Sequence, residues 1–168
     1  MATITLGGNP VKTIGDLPKI GTQLSNFELV STDLSTKKLA DFKGSNLILN
    51  IFPSVNTGIC SASVRQFNVE ASELQNTKVL CISRDLPFAQ KEFCAAEGIE
   101  NVEMLSDYKT GAFGKAYGLI MTNGGFDALL SRCVIVADKT GKIIYTEQVP
   151  EIAQEPNYKA ALEALMDA

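Results

Sequence analysis

The stretch Leu47–Phe67, read as LILNIFPSVNTGICSASVRQF, constrains the fold more than any other part of the chain. Its first six residues form an almost continuous apolar run, which is typical of a β-strand buried on both faces of a sheet. Pro53 ends this strand, because proline has no N–H group to offer a neighbouring strand. A short polar loop follows, and Val64 and Phe67 then recur at the spacing of one helix face. The pattern therefore predicts a central strand, a loop and a helix, the unit from which α/β sheets are built.

Cys60 lies where this loop meets the predicted helix, at the carboxyl end of the central strand. Functional groups of open α/β sheets gather at that edge. A thiol at a helix N-terminus is close to the positive end of the helix dipole and to unpaired N–H groups, and both favour the thiolate. Thr57, three residues upstream, is near enough for its hydroxyl to reach the same sulfur. Because its neighbours Gly58 and Ser61 are small or polar, we interpret Cys60 as a reactive thiol rather than a small buried hydrophobic residue.

The chain has three other cysteines, and none of the four forms a C-x-x-C pair. This spacing argues against a thioredoxin-type dithiol motif and against a zinc ribbon. Cys81 and Cys133 lie within the apolar runs VLCIS and RCVIVA, which predicts structural roles inside buried strands. Cys94 lies on a predicted helix beside Phe93 and Ala95, and composition alone slightly favours a packing role for it.

Histidine does not occur anywhere in the chain. It is the base of Cys/His proteases and of Ser/His/Asp hydrolases, so its absence excludes those classes together with histidine-bearing metal sites. Any chemistry at Cys60 must therefore use a thiol tuned by groups other than imidazole. We expect no metal site and no bound cofactor.

Arg132 begins a strongly apolar run that extends over residues 132–137, where a charged side chain needs a reason. Such a charge can be solvated at the strand end, or it can pair with a buried anion. The residues alone leave these two interpretations about equal.

Short alternating segments and helix-period segments follow one another along the rest of the chain. Two of them flank a Gly/Asn/Pro turn, which predicts an N-terminal β-hairpin. The predicted strands are Thr3–Leu6, Val11–Ile14, Phe27–Val30, Lys38–Leu39, Leu47–Phe52, Lys78–Ser83, Val102–Leu105, Arg132–Ala137 and Lys142–Gln148. The predicted helices are one that starts at Cys60, then Leu86–Glu97, Gly111–Tyr117 and Pro156–Met166. This order predicts an α/β, thioredoxin-like fold, with a central mixed β-sheet flanked by helices and an added N-terminal β-hairpin, in a single domain over residues 1–168.

Charge and hydropathy narrow the possible partners. The formal net charge is −4 and no long basic cluster is present, so we expect no nucleic-acid partner. Residues 1–10 have neither the basic region nor the apolar region of a signal peptide. No apolar run is as long as a membrane-spanning helix. We therefore expect a cytoplasmic protein with no membrane partner.

Several segments resemble the peroxiredoxin family. The string PSVNTGIC carries the P-x-x-x-T-x-x-C signature of that family on Pro53, Thr57 and Cys60. Arg132 matches the distant arginine of the family's active site. The strings PSVNTGICSASVRQFN, LCISRDLPFAQKEFC, LLSRCVIVAD and EPNYKAALEAL are similar to the atypical two-cysteine thiol peroxidases within the family. The resemblance extends over essentially the whole chain, N-terminal hairpin included.

The resemblance implies a redox cycle between two thiols. Cys60 is then the peroxidatic cysteine, which attacks a hydroperoxide and becomes a sulfenic acid. Cys94 is the resolving cysteine, which reverses the packing role that composition favours, and the two form an intramolecular disulfide. Thr57 and Arg132 hold the Cys60 thiolate, and Pro53 shields the sulfur from water.

The resemblance also implies partners. Hydrogen peroxide and alkyl hydroperoxides are the expected substrates, thioredoxin is the expected reductant, and the chain is expected to form a homodimer. One position departs from the pattern, because similar proteins often carry Asp where this chain has Asn56. The change removes a negative charge near the sulfur and therefore favours the thiolate.

Two other functions are open at this stage. A protein-disulfide oxidoreductase would share the fold, although the missing C-x-x-C motif argues against it. A thioredoxin-fold binding or redox-sensing protein would use its cysteines only as core residues. Consumption of hydroperoxide in the presence of a dithiol, with and without Cys60, distinguishes these classes.

Overall fold

A computed structural model describes residues 2–167 of the chain. Its strands are β1 Thr3–Leu6, β2 Asn9–Lys12, β3 Glu28–Ser31, β4 Thr36–Lys38, β5 Asn46–Ile51, β6 Thr77–Ser83, β7 Glu103–Ser106, β8 Cys133–Ala137 and β9 Ile143–Gln148. Its helices are α1 Gly58–Ala71, α2 Pro87–Glu97, α3 Ala112–Ala116 and α4 Tyr158–Met166, with a 3₁₀ helix at Leu39–Phe42.

The main sheet has the strand order β4-β3-β7-β6-β5-β8-β9. Strand β5 lies inside this sheet, where it pairs parallel with β6 and antiparallel with β8. Strands β1 and β2 form a separate two-stranded sheet at the N-terminus. The predicted fold class is confirmed: a mixed central sheet flanked by helices, with an added N-terminal hairpin.

The side chains of β5 alternate between two apolar layers, one on each face of the sheet. Leu47, Leu49 and Ile51 belong to one buried cluster, whereas Ile48 belongs to the other. The second layer is covered by α1, α2 and α4. The predicted inward residues of α4 pack there, namely Tyr158, Ala161, Leu162 and Leu165. Burial on both faces explains why the β5 sequence is apolar almost throughout.

Several element boundaries differ from the predicted ones for local reasons. Helix α1 begins at Gly58 rather than at Cys60, because Thr57 has extended backbone angles and caps the helix. Strand β8 begins at Cys133, which leaves Arg132 just outside the ladder. Helix α2 keeps its predicted end, since Gly98 takes the left-handed conformation at φ 66°.

The length and hydropathy of the helices can be compared with those that a membrane-spanning helix needs. Over residues 2–167, the helices are all too short or too polar to cross a lipid bilayer.

Candidate active site

Cys60 lies in the first turn of α1, immediately beyond the carboxyl end of β5. Its side chain is fully buried at 0% exposure, on the same helix face as Val64 and Phe67. The Cys60 N–H group donates to Thr57 Oγ1 at 3.3 Å, and the Thr57 hydroxyl is 3.4 Å from the Ser54 carbonyl to which it donates. Thr57 therefore orients Cys60 through the helix start, whereas the sequence predicted a contact with the sulfur itself.

Arg132 is the charged group that meets the Cys60 sulfur. Its Nη2 donates to Cys60 Sγ at 3.2 Å, and the whole residue is only 2% exposed. The Nε group donates to the Ile152 carbonyl at 2.7 Å, which fixes the plane of the guanidinium. Nη1 is buried without a hydrogen-bond partner. The structure thus places Arg132 against a buried sulfur rather than at a solvated strand end, and it leaves one N–H-bearing nitrogen free for a ligand.

The loop between β5 and α1 closes over the thiol. Pro53 is buried, and Val55 is 3% exposed. The carboxylate of Asp85 holds this loop from the end of β6. It accepts from Ser54 Oγ at 2.7 Å and from the Val55 N–H group at 2.8 Å. The loop around Cys60 is therefore pinned from a neighbouring strand.

All four cysteines are free thiols in this state. Burial raises the pKa of Cys81 to about 12, and burial also raises the pKa of Cys133 well above its ordinary value. Cys94 is half-buried on α2, and burial raises the pKa of its thiol as well. These three cysteines are therefore protonated at neutral pH. Cys60 is the cysteine that has a guanidinium bonded to its sulfur.

Cys60 and Cys81 belong to the same apolar cluster, against which Cys94 packs from α2. Four predicted site residues come together where the central strand β5 ends, namely Pro53, Thr57, Cys60 and Arg132. Cys94 lies on the same face of the sheet as Cys60, but on α2 rather than on α1.

The N-terminal hairpin supports the carbonyl that orients Arg132. The Ile152 N–H group donates to the Thr5 carbonyl at 2.8 Å, and the Thr5 N–H group donates to the Pro150 carbonyl at 2.8 Å. Glu151 accepts from the Thr5 hydroxyl and from the Gly7 N–H group. These bonds hold the pKa of Glu151 at about 2, with the Thr5 hydroxyl as the largest cause. The hairpin is thus tied to the segment next to the active site.

Sequence reasoning missed two of the groups that shape this site. Ile152 acts through its backbone carbonyl, and a backbone group leaves no trace in the residue types. Asp85 could have been found, because it is a polar residue just beyond the carboxyl end of a buried parallel strand.

The acidic and thiol groups do not gather into a metal site. Across the part of the chain that the structure describes, no three Cys, Asp or Glu side chains are grouped so that they could hold a metal ion.

The role of the Thr57 cap can be tested directly. The reaction with peroxide that the family resemblance implies for Cys60 should be slower in Thr57→Val, because the helix start loses a cap worth about 1 kcal/mol. Thr57→Ser keeps the hydroxyl and should retain most of the rate. Stopped-flow measurement of the first peroxide turnover, with thermal unfolding as a parallel measurement, checks this. Equal rates in the two variants would rule out the cap as the reason.

Comparison with known proteins gives consistent matches over most of the chain. The family model described as Redoxin matches residues 19–162. A thiol peroxidase of Corynebacterium glutamicum is 50% identical over 165 residues, which cover 98% of this chain and 99% of the relative. A thiol peroxidase of Mycobacterium tuberculosis is 48% identical with the same coverage. The crystal structure of a peroxiredoxin-like protein from Aquifex aeolicus is similar at a TM-score of 0.93 and 33% identity, over 99% of this chain and 97% of that one.

Proposed function

This chain belongs to the redoxin family and reduces peroxide with electrons from thiols, and we propose that Cys60 is the sulfur that attacks the peroxide. The observation that carries this assignment is the buried contact between Arg132 Nη2 and Cys60 Sγ at 3.2 Å. A neighbouring guanidinium favours the thiolate, which is the nucleophilic form. The other three cysteines have no such partner and are protonated at neutral pH.

The reaction needs only groups that the site contains. The Cys60 thiolate attacks the nearer oxygen of ROOH in line with the O–O bond, an S–O bond forms, and the O–O bond breaks. The leaving RO⁻ takes up a proton to give ROH or water, and the sulfur is left as sulfenic acid. Arg132 Nη1 is buried without a partner, so it is free to donate to the peroxide oxygens as charge develops on them.

Pro53 and Val55 keep water away from the sulfur, because both are buried in the loop above it. A site closed to water strengthens the interaction between the guanidinium and the reacting oxygens. This packing favours substrates that are small or partly apolar. Both hydrogen peroxide and alkyl hydroperoxides meet that condition.

Cys94 completes the cycle in this proposal. Its thiolate attacks the Cys60 sulfenic sulfur, an S–S bond forms, and hydroxide leaves and is protonated to water. An external dithiol then reduces the disulfide by two exchange steps. Thioredoxin in the cytoplasm is the reductant that we propose, and the working unit is a homodimer. The family relationship does not favour a disulfide oxidoreductase or a binding protein as the alternative.

In this proposal, the disulfide between Cys60 and Cys94 forms after a local conformational change in the two helices that carry them. The Cα atoms of a disulfide lie within about 7 Å of each other, whereas Cys60 is fully buried in α1 and Cys94 is on α2. We propose that both helices loosen locally before the sulfurs meet, because the disulfide has to join a fully buried residue of one helix to a residue of another. Opening also relieves the burial that raises the pKa of Cys94, so the resolving thiol becomes a better nucleophile at the moment it is needed.

The overall proposal is tested by peroxide consumption with thioredoxin, thioredoxin reductase and NADPH as the electron source. We expect steady turnover with hydrogen peroxide and with cumene hydroperoxide. Turnover with glutathione but none with thioredoxin would overturn the proposed reductant. No consumption with any thiol would contradict the assigned activity.

The resolving role of Cys94 gives a separate prediction. Peptide mapping after one equivalent of peroxide should find Cys60 joined to Cys94, and non-reducing gels should show no covalent dimer. Disulfide formation should accelerate as the pH rises above neutral, because only the Cys94 thiolate attacks and burial raises the pKa of this thiol. Amide exchange in the oxidised protein should be faster over residues 53–64 and 88–97.

The matched variant is Cys94→Ser. It should react with the first equivalent of peroxide at the normal rate, stall as sulfenic acid and then over-oxidise more readily. A map that joins Cys60 to Cys81, or to Cys60 of the other subunit, would refute the role of Cys94 and would leave the peroxidase assignment intact.

A further inference from the structure

The geometry points to Asp85 as a positioning residue that ties the Cys60 loop to the start of α2, so that the two cysteine-bearing segments open together. This inference rests on the proposed role of Cys94 as the resolving thiol. Asp85 lies between β6 and α2, and its carboxylate accepts from Ser54, Val55 and Ser83. Its contacts extend towards both cysteine-bearing segments.

On one side, the Asp85 carboxylate holds the loop that leads into α1. Ser54 Oγ donates to Oδ1 at 2.7 Å, and the Val55 N–H group donates to Oδ2 at 2.8 Å. The Ser54 carbonyl accepts in turn from the Thr57 hydroxyl, which caps α1. The position of Cys60 in the first helical turn thus depends on a loop that Asp85 anchors.

On the other side, the same carboxylate reaches α2 through one serine. Ser83 Oγ donates to Asp85 Oδ2 at 2.6 Å, and it accepts from Gln90 Nε2 at 3.2 Å. Gln90 is fully buried on α2 and lies one helical turn before Cys94, on the same helix face. A continuous polar chain therefore runs from the Cys60 loop through Asp85 to the helix that carries Cys94.

The chain of hydrogen bonds from the Cys60 loop to α2 is cooperative for two physical reasons. Hydrogen bonds to an ionised carboxylate are stronger than bonds between neutral groups. Members of a partly buried network also support one another, and a half-broken network leaves polar groups without partners. If the Cys60 loop moves away, the Asp85 carboxylate loses its donors Ser54 and Val55. Its bond to Ser83 is then less firmly positioned, and so is the link from Ser83 to α2. Opening of one segment therefore favours opening of the other.

This coupling has opposite consequences for the two halves of the cycle. Peroxide attack needs the closed loop, in which Arg132 meets the Cys60 sulfur. Resolution needs both segments open, so that Cys94 can reach the sulfenic acid. Over-oxidation competes with resolution, because a second peroxide reacts with the sulfenate in the closed site and leaves it as sulfinic acid plus one more ROH. Asp85 thereby sets the share of sulfenic acid that is resolved rather than over-oxidised.

The test compares Asp85→Asn with Asp107→Asn. Asp107 is a matched control, because its carboxylate lies at the end of the neighbouring strand β7 and accepts the N–H groups of Phe113 and Gly114. It also pairs with Arg84 Nε at 3.6 Å, and these three contacts reach neither the Cys60 loop nor α2. In Asp85→Asn we expect the first peroxide attack to slow by about tenfold, as fits the loss of a hydrogen bond to a charged group. Disulfide formation should accelerate, and the sulfinic fraction at high peroxide should fall.

Two further measurements keep the test decisive. Ser54→Ala removes a single donor to Asp85, so it should change both rates in the same directions by smaller factors even if Asp85→Asn folds poorly. Amide exchange in the reduced Asp85→Asn protein should rise over residues 53–64 and 86–97 together, and in Asp107→Asn over neither.

Three outcomes would overturn the coupling: attack and disulfide formation both slow down, exchange rises in only one segment, or Asp107→Asn behaves like Asp85→Asn. Failure of the proposed resolving role is separately visible. In that case the map of the unaltered protein would lack the Cys60–Cys94 peptide, whereas exchange in the reduced protein would still report whether the two segments open together.

Discussion

Replacing Cys60 with serine should abolish peroxide reduction completely, even for a single turnover. A serine hydroxyl is not ionised at neutral pH and is a far weaker nucleophile towards an O–O bond than a thiolate. The variant should fold normally, since the two side chains have nearly the same size and the backbone bond to the Thr57 cap is unaffected. The measurement is consumption of one equivalent of hydrogen peroxide by the reduced protein without any reductant. A Cys60→Ser protein with the original rate would refute the mechanism.

The other buried cysteines supply matched controls for this experiment. Cys81→Ala and Cys133→Ala each remove a thiol from the core, where both residues are 0% exposed. Each should lower the free energy of unfolding because a small cavity is left. Each should also keep most of the first-turnover rate, because neither thiol is ionised at neutral pH. Loss of the first turnover in either control would show that the reactive sulfur has been misassigned.

Replacing Arg132 with alanine should give the second largest effect. The guanidinium bonds the sulfur at 3.2 Å and keeps one buried nitrogen free for the peroxide. Its removal should cost about 2 to 4 kcal/mol of transition-state stabilisation, the value of one preorganised donor at a developing charge. The second-order rate constant for peroxide should fall accordingly. Alkylation of Cys60 at neutral pH should also slow, because the thiolate loses the cation bonded to it.

Arg132→Lys separates charge from geometry in this prediction. Lysine retains the positive charge, but an ammonium group cannot bond the Ile152 carbonyl and the sulfur with the fixed fork of a guanidinium. We expect the rate of Cys60 alkylation to recover more than the peroxide rate does. If Arg132→Ala changed neither quantity, Arg132 would be only a charge at the end of a strand.

Local features of the sequence determined most of the fold. The apolar run of β5, the stop at Gly98 and the amphipathic face of α4 depend on neighbours within a few residues, so pattern and propensity suffice to predict them. The hairpin was predicted in the same way, but its turn is shorter than the predicted Gly/Asn/Pro turn. Asn9 and Pro10 already belong to β2, and the turn consists of Gly7 and Gly8 at φ values of 59° and 83°. The position of Cys60 was also predictable from local sequence, since this residue follows a buried strand and has small or polar neighbours.

The polar contacts of the site could not be read in this way, because their partners are far apart along the chain. Arg132 is separated from Cys60 by 72 residues, and the sequence left a solvated strand end and a buried anion partner as equal possibilities. The register of the sheet decides between them. Cys133 of β8 lies opposite Ile51 of β5, so the residue before Cys133 is placed at the edge where the Cys60 loop begins.

Most of the remaining contacts of the site also depend on pairing between segments that are far apart in the sequence. The Ile152 carbonyl that orients Arg132 belongs to a segment that pairs with the distant N-terminal hairpin. The Thr57 hydroxyl oxygen accepts from the Cys60 N–H group at the helix start that it caps. Asp85 meets the Cys60 loop because parallel pairing of β5 with β6 brings their carboxyl ends together. The sequence by itself thus determined that Cys60 lies after a buried strand, at the start of a helix, through short-range pattern. Which groups surround that thiol was decided by strand register and long-range backbone pairing, which exist only once the chain has folded.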